Sequence, residues 1–400
     1  MPRVVWWLLL FFVFSIPWEY SLDLGEPLGN IARIVGLLLL LLAPAALLQK
    51  GCLRTPGPLQ WLVLAFYLWF CLSYFWTIEP QATLGRLRAF IQEMMIVWLT
   101  WEFAETPEDL RNLLRAWVAG SLVLAVLALA DFAWAQSGAV EQIRFAASGH
   151  DPNDVARLLD LTFPLAALLW LSESQRSLRL LAAIYLPLGL IAVLLTASRG
   201  GLLVSLVAVA GCGLLMARGR PRRVLVAALA LPPIATGFWI FLPTSTLERL
   251  ATIPEQLQSG DLNQRSKIWS AGWDAFVRAP WLGTGAGSFA SAAGLSPVDT
   301  AHNTPLSIVV TAGLCGIFLA AAILALTIRS ISQIRGPLRW MLATTLLVWL
   351  IASLAATVEE NRSTWLLFAL IALAGRLAND GPEQLSACFR SRFAMNATDS

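Results

Sequence analysis

Long apolar runs leave this chain almost no way to fold in water. They centre near residues 4–19, 30–48, 59–76, 84–102, 113–135, 156–171, 179–196, 200–216, 224–242, 303–327, 340–357 and 364–379. Each approaches the roughly 17–25 residues that a helix needs to cross the hydrocarbon of a bilayer. Backbone polar groups find no water there, so every such run must satisfy its amides within itself, as a helix. The pattern predicts an all-α polytopic membrane protein with about twelve transmembrane helices. Composition agrees, with 58% hydrophobic and 13% charged residues against about a quarter charged in a soluble domain.

The first run follows a single Arg3 and carries Trp6, Trp7 and Trp18 with no small-residue cleavage site. It is expected to stay as a helix, with the N-terminus in the cytoplasm. That start places Lys50, Arg54, Arg176, Arg179, the cluster Arg218, Arg220, Arg222 and Arg223, then Arg329, Arg335, Arg339, Arg390 and Arg392 on the cytoplasmic side, as positive charge distributes in multi-pass proteins. The chain divides into spans one to nine (1–242), an outer loop with two amphipathic helices (243–301), spans ten to twelve (302–379) and a cytoplasmic tail (380–400). Cys52, Cys71, Cys212, Cys315 and Cys388 fall in spans or on the cytoplasmic side, so no disulfide framework is expected outside.

Against that background the outer face is unexpectedly basic. It collects Arg33, Arg86, Arg88, Arg144, Arg157, Arg199, Arg249, Arg265, Lys267, Arg278 and Arg362. Of 28 basic residues only Lys50 and Lys267 are lysines. A planar, permanently charged guanidinium suits a multidentate anion such as phosphate. For Arg86 and Arg88, snorkelling to the interface is the competing reading.

Four segments add detail. Asp151-Pro152-Asn153-Asp154 is a turn and helix-capping signal; beside it His150 reads as a solvated loop histidine. Arg157, one turn into the next span, is an ionisable group at membrane depth. Thr196-Ala197-Ser198-Arg199-Gly200-Gly201 is a hairpin too short to leave the membrane surface, with Ser198 placed to cap the next helix and Arg199 held at the outer edge. In the 243–301 loop a short helix is expected over 246–258 and a second over 264–279. On the second, Arg265, Ile268, Trp269, Gly272, Trp273 and Phe276 share a face by their spacing of three and four, which puts an arginine at the head of an apolar stripe. Gly283, Gly285 and Gly287 follow Pro280; without a preceding strand they are no dinucleotide fingerprint, and they read as a flexible return to the membrane or as amides for a phosphate. His302 and Asn303 open span ten. A histidine at a helix N-terminus tends to stay neutral, as a general base must be. Glu359, Glu360, Asn361 and Arg362 close a short outer loop before span twelve.

Phosphate-binding arginines, one basic imidazole and no metal-ligand cluster suggest displacement of a lipid-linked pyrophosphate by a hydroxyl, with arginine stabilising the leaving group. The hairpin around Arg199, the loop with Arg265 ahead of Trp269, the 280–287 segment and His302-Asn303 together resemble the O-antigen ligase and polymerase superfamily. The resemblance implies a glycosyltransferase of the bacterial inner membrane with its site facing the periplasm, needing no cofactor and no metal. Arg199 and Arg265 would engage the pyrophosphate and His302 would activate the acceptor hydroxyl, with Glu360 or Asp299 as alternative bases that His302 orients. Arg86, Arg88, Arg144, Arg157, Asn303, Trp269, Trp273, Glu360 and Arg362 are the further candidates for substrate binding. The donor implied is undecaprenyl-pyrophosphate-linked O-antigen and the acceptor lipid A-core, in contact with membrane lipids and no nucleic acid. A polymerase or protein O-oligosaccharyltransferase of the same superfamily is the alternative. A lipid-linked-glycan transporter fits less well, since its arginines should line both halves of the pathway.

Overall fold

A computed structural model describes residues 2–25, 29–136, 144–217, 244–252 and 265–390. Among these residues every regular element is a helix: α1 (Pro2–Ser15), α2 (Ile31–Lys50), α3 (Pro58–Leu72), α4 (Pro80–Phe103), α5 (Pro107–Gln136), α6 (Pro152–Ser172), α7 (Arg176–Leu195), α8 (Arg199–Ala217), α9 (Thr244–Ala251), α10 (Arg265–Arg278), α11 (Phe289–Ala293), α12 (Thr304–Gln333), α13 (Gly336–Ser353), α14 (Arg362–Asp380) and α15 (Pro382–Cys388).

Nine of the described helices are long and apolar enough to cross a membrane. The expected run at 224–242 and the Arg218 to Arg223 cluster lie outside the described residues. The runs at 84–102 and 364–379 do form helices, α4 and α14, but too many polar residues interrupt them to meet the same standard. Several of their charges are met inside the bundle. Arg86 and Glu93 of α4 form a bidentate pair at 3.3 and 3.2 Å, and Arg376 of α14 donates to the carbonyls of Trp101 and Ala104.

Two helices sit at the centre. α6 has 94% of its spanning window buried, and α14 is buried without a break from Ser363 to Gly375. A helix apolar all round belongs in such a place. α6 packs on α5, α7, α8 and α13, and α14 on α4 and α12. Arg157 of α6 donates to the Ser363 hydroxyl of α14 at 3.2 Å, tying the two together.

Because neighbouring helices alternate in direction, one end of the bundle collects the starts of α4, α6, α8, α12 and α14 and the ends of α7 and α13. This is the arginine-rich end. α9 and α10 lie there too, joined to it by contacts of Arg249 and Trp269.

α10 is docked on protein. Gly272 and Ala275 form its buried seam, and a Cβ at Gly272 would meet Leu306 and Phe289 at 3.1 Å. A larger residue there would push these two side chains back by a few tenths of an ångström.

The segment 283–287 is not a loose connection. α12 breaks at Gly313, where φ is 65° and ψ is −165°, and the glycine-rich segment fills the break. Thr284 N donates to Val310 O and Gly285 N to Thr311 O, both at 2.9 Å, while Leu314 N donates to Pro280 O at 2.8 Å. Backbone groups freed by the kink are thus paired, as buried amides must be. Gly285, at φ 105°, has Thr77 so close that a Cβ would sit 2.2 Å from its hydroxyl oxygen. The two amides nearest the break are occupied, so they do not face a phosphate.

Candidate active site

The 196–201 hairpin carries the first group. α7 ends at Leu195 and α8 begins at Arg199, and the chain reverses through Ala197, whose φ of 49° is left-handed. Ser198 Oγ accepts the Gly201 amide at 3.2 Å, the expected cap. The same hydroxyl donates to Asn153 Oδ1 at 3.0 Å, and Asp151 Oδ1 accepts the Asn153 amide at 2.8 Å to cap α6. The acidic turn and the hairpin are therefore one hydrogen-bonded unit.

Arginines converge on it. Arg144 donates through Nη2 to Asn153 Oδ1 at 2.8 Å and through Nε to Thr196 O at 3.0 Å. Arg249, from α9, donates to Ala197 O at 3.3 Å, and Arg199 donates to Arg249 O at 2.9 Å. Arg199 also bonds the Thr252 hydroxyl. Burial, the charges of Arg249 and Arg199, and only partial relief from Asp151 hold Arg144 below its ordinary pKa. Arg144 and Arg249 have no carboxylate at ion-pair distance among the described residues. Guanidiniums held together by carbonyls and hydroxyls repel one another, and the arrangement is relieved by an anion.

Arg265 opens α10 and faces the same turn. Burial lowers its pKa and Asp151 opposes the shift, so it lies within electrostatic reach of the α6 cap. It too has no ion pair among the described residues. Trp269, one turn on, donates to Ala301 O at 3.0 Å. That bond fixes the backbone just before His302.

His302 stands between these parts. Its φ is 46°, and with Ala197 it is one of two non-glycine residues in the left-handed region among those described. Left-handed backbone costs a side-chain-bearing residue about 1–2 kcal/mol, and such strain concentrates at functional sites. Thr300 Oγ1 lies 3.5 Å from Nδ1 of the His302 ring. Burial lowers the His302 pKa, and the Arg265 charge adds to this against the weaker pull of Asp151, Asp154 and Asp299. The shift favours the neutral ring.

Other candidates have structural partners. Asn303 caps α12 through the Leu306 amide at 2.9 Å and donates to Leu354 O. Arg157 is paired with Asp154 at 3.3 Å, Arg362 with Glu19 and Gln92, and Arg86 with Glu93 and with Glu360 at 3.4 Å. These three arginines clamp helix to helix, and each has its charge compensated. Glu360 is thereby engaged, and Asp299 accepts the Ser296 amide. Arg88 is exposed. Trp273 is 57% exposed, with its ring tilted against Phe276 at a centroid distance of 5.2 Å, so the stripe expected on α10 splits: Gly272 is buried and Trp273 looks out.

Reading the sequence alone passed over Arg249 as a site residue. Its only signal was membership of the outer basic set. The contact with Arg199 joins residues fifty positions apart and had no motif of its own.

A family model described as O-antigen ligase matches residues 184–321, a segment that contains Arg199, Arg249, Arg265 and His302. An O-antigen ligase of Pseudomonas aeruginosa is 26% identical over 369 residues, which cover 84% of this chain and 84% of the relative. Both agree with the resemblance carried by the hairpin, the loop and His302-Asn303.

Proposed function

We propose that this O-antigen ligase-like chain is a glycosyltransferase that moves O-antigen from undecaprenyl pyrophosphate onto lipid A-core, at the periplasmic face of the bacterial inner membrane. The observation that carries the reading is His302, held on strained backbone with its pKa lowered, within electrostatic reach of Arg265, which like Arg144 and Arg249 has no carboxylate at ion-pair distance among the described residues. A base and an anion site side by side are what displacement of a pyrophosphate by a hydroxyl requires.

In this mechanism the acceptor hydroxyl gives its proton to Nε2 of His302 as its oxygen attacks the anomeric carbon. The new carbon–oxygen bond forms while the bond to the phosphate oxygen breaks, and the configuration inverts. Negative charge developing on the departing pyrophosphate is met by Arg199 and Arg265, with Arg144 and Arg249 around them. Fixed guanidiniums would supply the stabilisation that a metal ion gives elsewhere. Asp299 and Glu360 are less suited to act as base, since each already accepts from a neighbour.

The test is transfer by purified protein in detergent with EDTA present, comparing wild type with His302→Ala, Arg199→Ala and Arg265→Ala. Wild-type modification of lipid A-core that each substitution reduces by on the order of a hundredfold or more, with melting temperatures unchanged, supports the reading. Lengthening of the lipid-linked glycan with no modification of lipid A-core would identify a polymerase instead. Loss of all transfer in EDTA that added divalent metal restores would overturn the metal-free mechanism.

A further inference from the structure

The turn at 151–154 also borders a cavity of about 190 Å³, lined by residues including Tyr20, His150, Asp154, Arg157, Asn361 and Arg362, with Glu19 beside them. Asp151 and Asp154 border this cavity and also act electrostatically on His302. The cavity wall therefore lies within electrostatic reach of the candidate base.

Its chemistry differs from that of the anion site. Each guanidinium here is already matched, Arg157 by Asp154 and Arg362 by Glu19. With Asp151 also on the wall, carboxylates outnumber guanidiniums, and a further anion would be repelled. Unpartnered polar atoms nevertheless remain. Nε2 of His150 and Nε of Arg362 are both buried without a hydrogen-bond partner. The other side of the His150 ring faces the Trp18 carbonyl, so Nε2 is the acceptor. Burial holds His150 near pKa 4, which keeps that lone pair available at neutral pH. Tyr20 meets the imidazole edge-on, with centroids 5.3 Å apart, and is 49% exposed. Among the described residues it is the aromatic side chain of the cavity wall.

A ligand for such a site must be uncharged, must donate and accept at many points, and must present an apolar face to a ring. A hydroxyl does both jobs at one atom, and a sugar ring carries several around a C–H face that packs on an aromatic side chain. We propose that this cavity is a saccharide subsite, in which His150, Asp154, Arg157 and Asn361 bind the hydroxyls of one sugar residue of a substrate against Tyr20. The assignment rests on the transferase reading for the source of the sugar, which is either the acceptor oligosaccharide or the glycan of the donor. His150 is then a specificity-determining residue for that substrate.

Binding can be read without turnover. Saturation-transfer NMR on the full-length protein in detergent would use two soluble probes in separate arms, delipidated core oligosaccharide and an oligosaccharide of the O-antigen repeat. The variants are His150→Ala and Tyr20→Ala, each checked by thermal unfolding; Tyr20 decides if His150→Ala fails to fold. Expected is wild-type binding of one probe, weakened about tenfold in either variant, the scale of one lost hydrogen bond or ring contact. Which arm responds identifies the source. In turnover the same variants should raise KM for that substrate about tenfold and leave kcat within about twofold. Binding of neither probe by wild type, or equal binding by wild type and the folded variants, overturns the proposal and leaves a cavity that holds water. Sugar binding by a wild-type protein that shows no transfer would keep the subsite and defeat the transferase reading, so the two fail separately.

Discussion

His302 and His150 are the two histidines of the chain, and the fold treats them alike in direction and differently in cause. Burial lowers both, and Arg265 adds to the effect at His302 alone. A proton titration followed by imidazole NMR should therefore find both rings titrating below the ordinary 6.5, with His150 near 4. A depressed pKa keeps the base form populated as pH falls, so transfer should hold through pH 6.5 and decline only below it. Arg265→Ala removes a like charge and should move the His302 transition upward, while Arg265→Lys should leave it nearly in place. An unmoved transition in Arg265→Ala would separate the two residues and weaken the shared site. Arg249→Ala is expected to lower transfer on the order of a hundredfold at constant melting temperature. A neutral His302 was expected from its place at a helix start, whereas the causes that lower its pKa in the fold are burial and Arg265. Its left-handed backbone had no signal in the sequence.

Among elements, the glycine-rich segment shows best how local sequence misleads. Three alternating glycines after a proline resemble a hinge or a phosphate cradle when read alone. In the fold they are the complement of a broken helix. Gly283 and Gly285 have positive φ, and a Cβ at Gly313 would lie 2.3 Å from Trp281 O. Gly285→Ala or Gly313→Ala should each destabilise the protein by about 2 kcal/mol or more, since left-handed strain adds to a clash with rigid backbone or a buried side chain. Gly294, with positive φ and open space around it, is the control and should lose only about 1 kcal/mol on the same change. Thermal or denaturant unfolding in detergent distinguishes them. Equal losses at all three sites would mean that the segment is not docked. Helix caps, by contrast, were readable directly: Asp151 and Ser198 each cap the helix that their position in the chain announced, although Asn303, expected to bind substrate, also proves to be a cap. Capping is a local exchange between a short polar side chain and amides two or three residues on, and local exchanges survive in sequence.

At the scale of the whole molecule the arrangement predicts sidedness. Lys267 on α10 is exposed at the arginine-rich end, and Arg335 lies at the opposite end, between α12 and α13. In a background with the native cysteines replaced, Lys267→Cys should react with a membrane-impermeant maleimide applied to spheroplasts, and Arg335→Cys only after permeabilisation. The reverse pattern would invert the proposed orientation and move the site to the cytoplasm. The membrane character of the chain, its helices and the concentration of arginine at one end were all decided by hydropathy and residue type, because a bilayer imposes a one-dimensional rule on each segment separately. The resemblance to O-antigen ligases was likewise carried by short motifs in order. Tertiary structure alone sorted the arginines. Arg86 and Arg362 look no different in sequence from Arg144, Arg249 and Arg265, yet the first two meet carboxylates from distant parts of the chain, Glu360 and Glu19, and the other three have none at ion-pair distance among the described residues. Whether a guanidinium clamps the fold or faces a substrate depends on which distant side chain packing brings within about 4 Å, and that distance is settled only when the helices have packed.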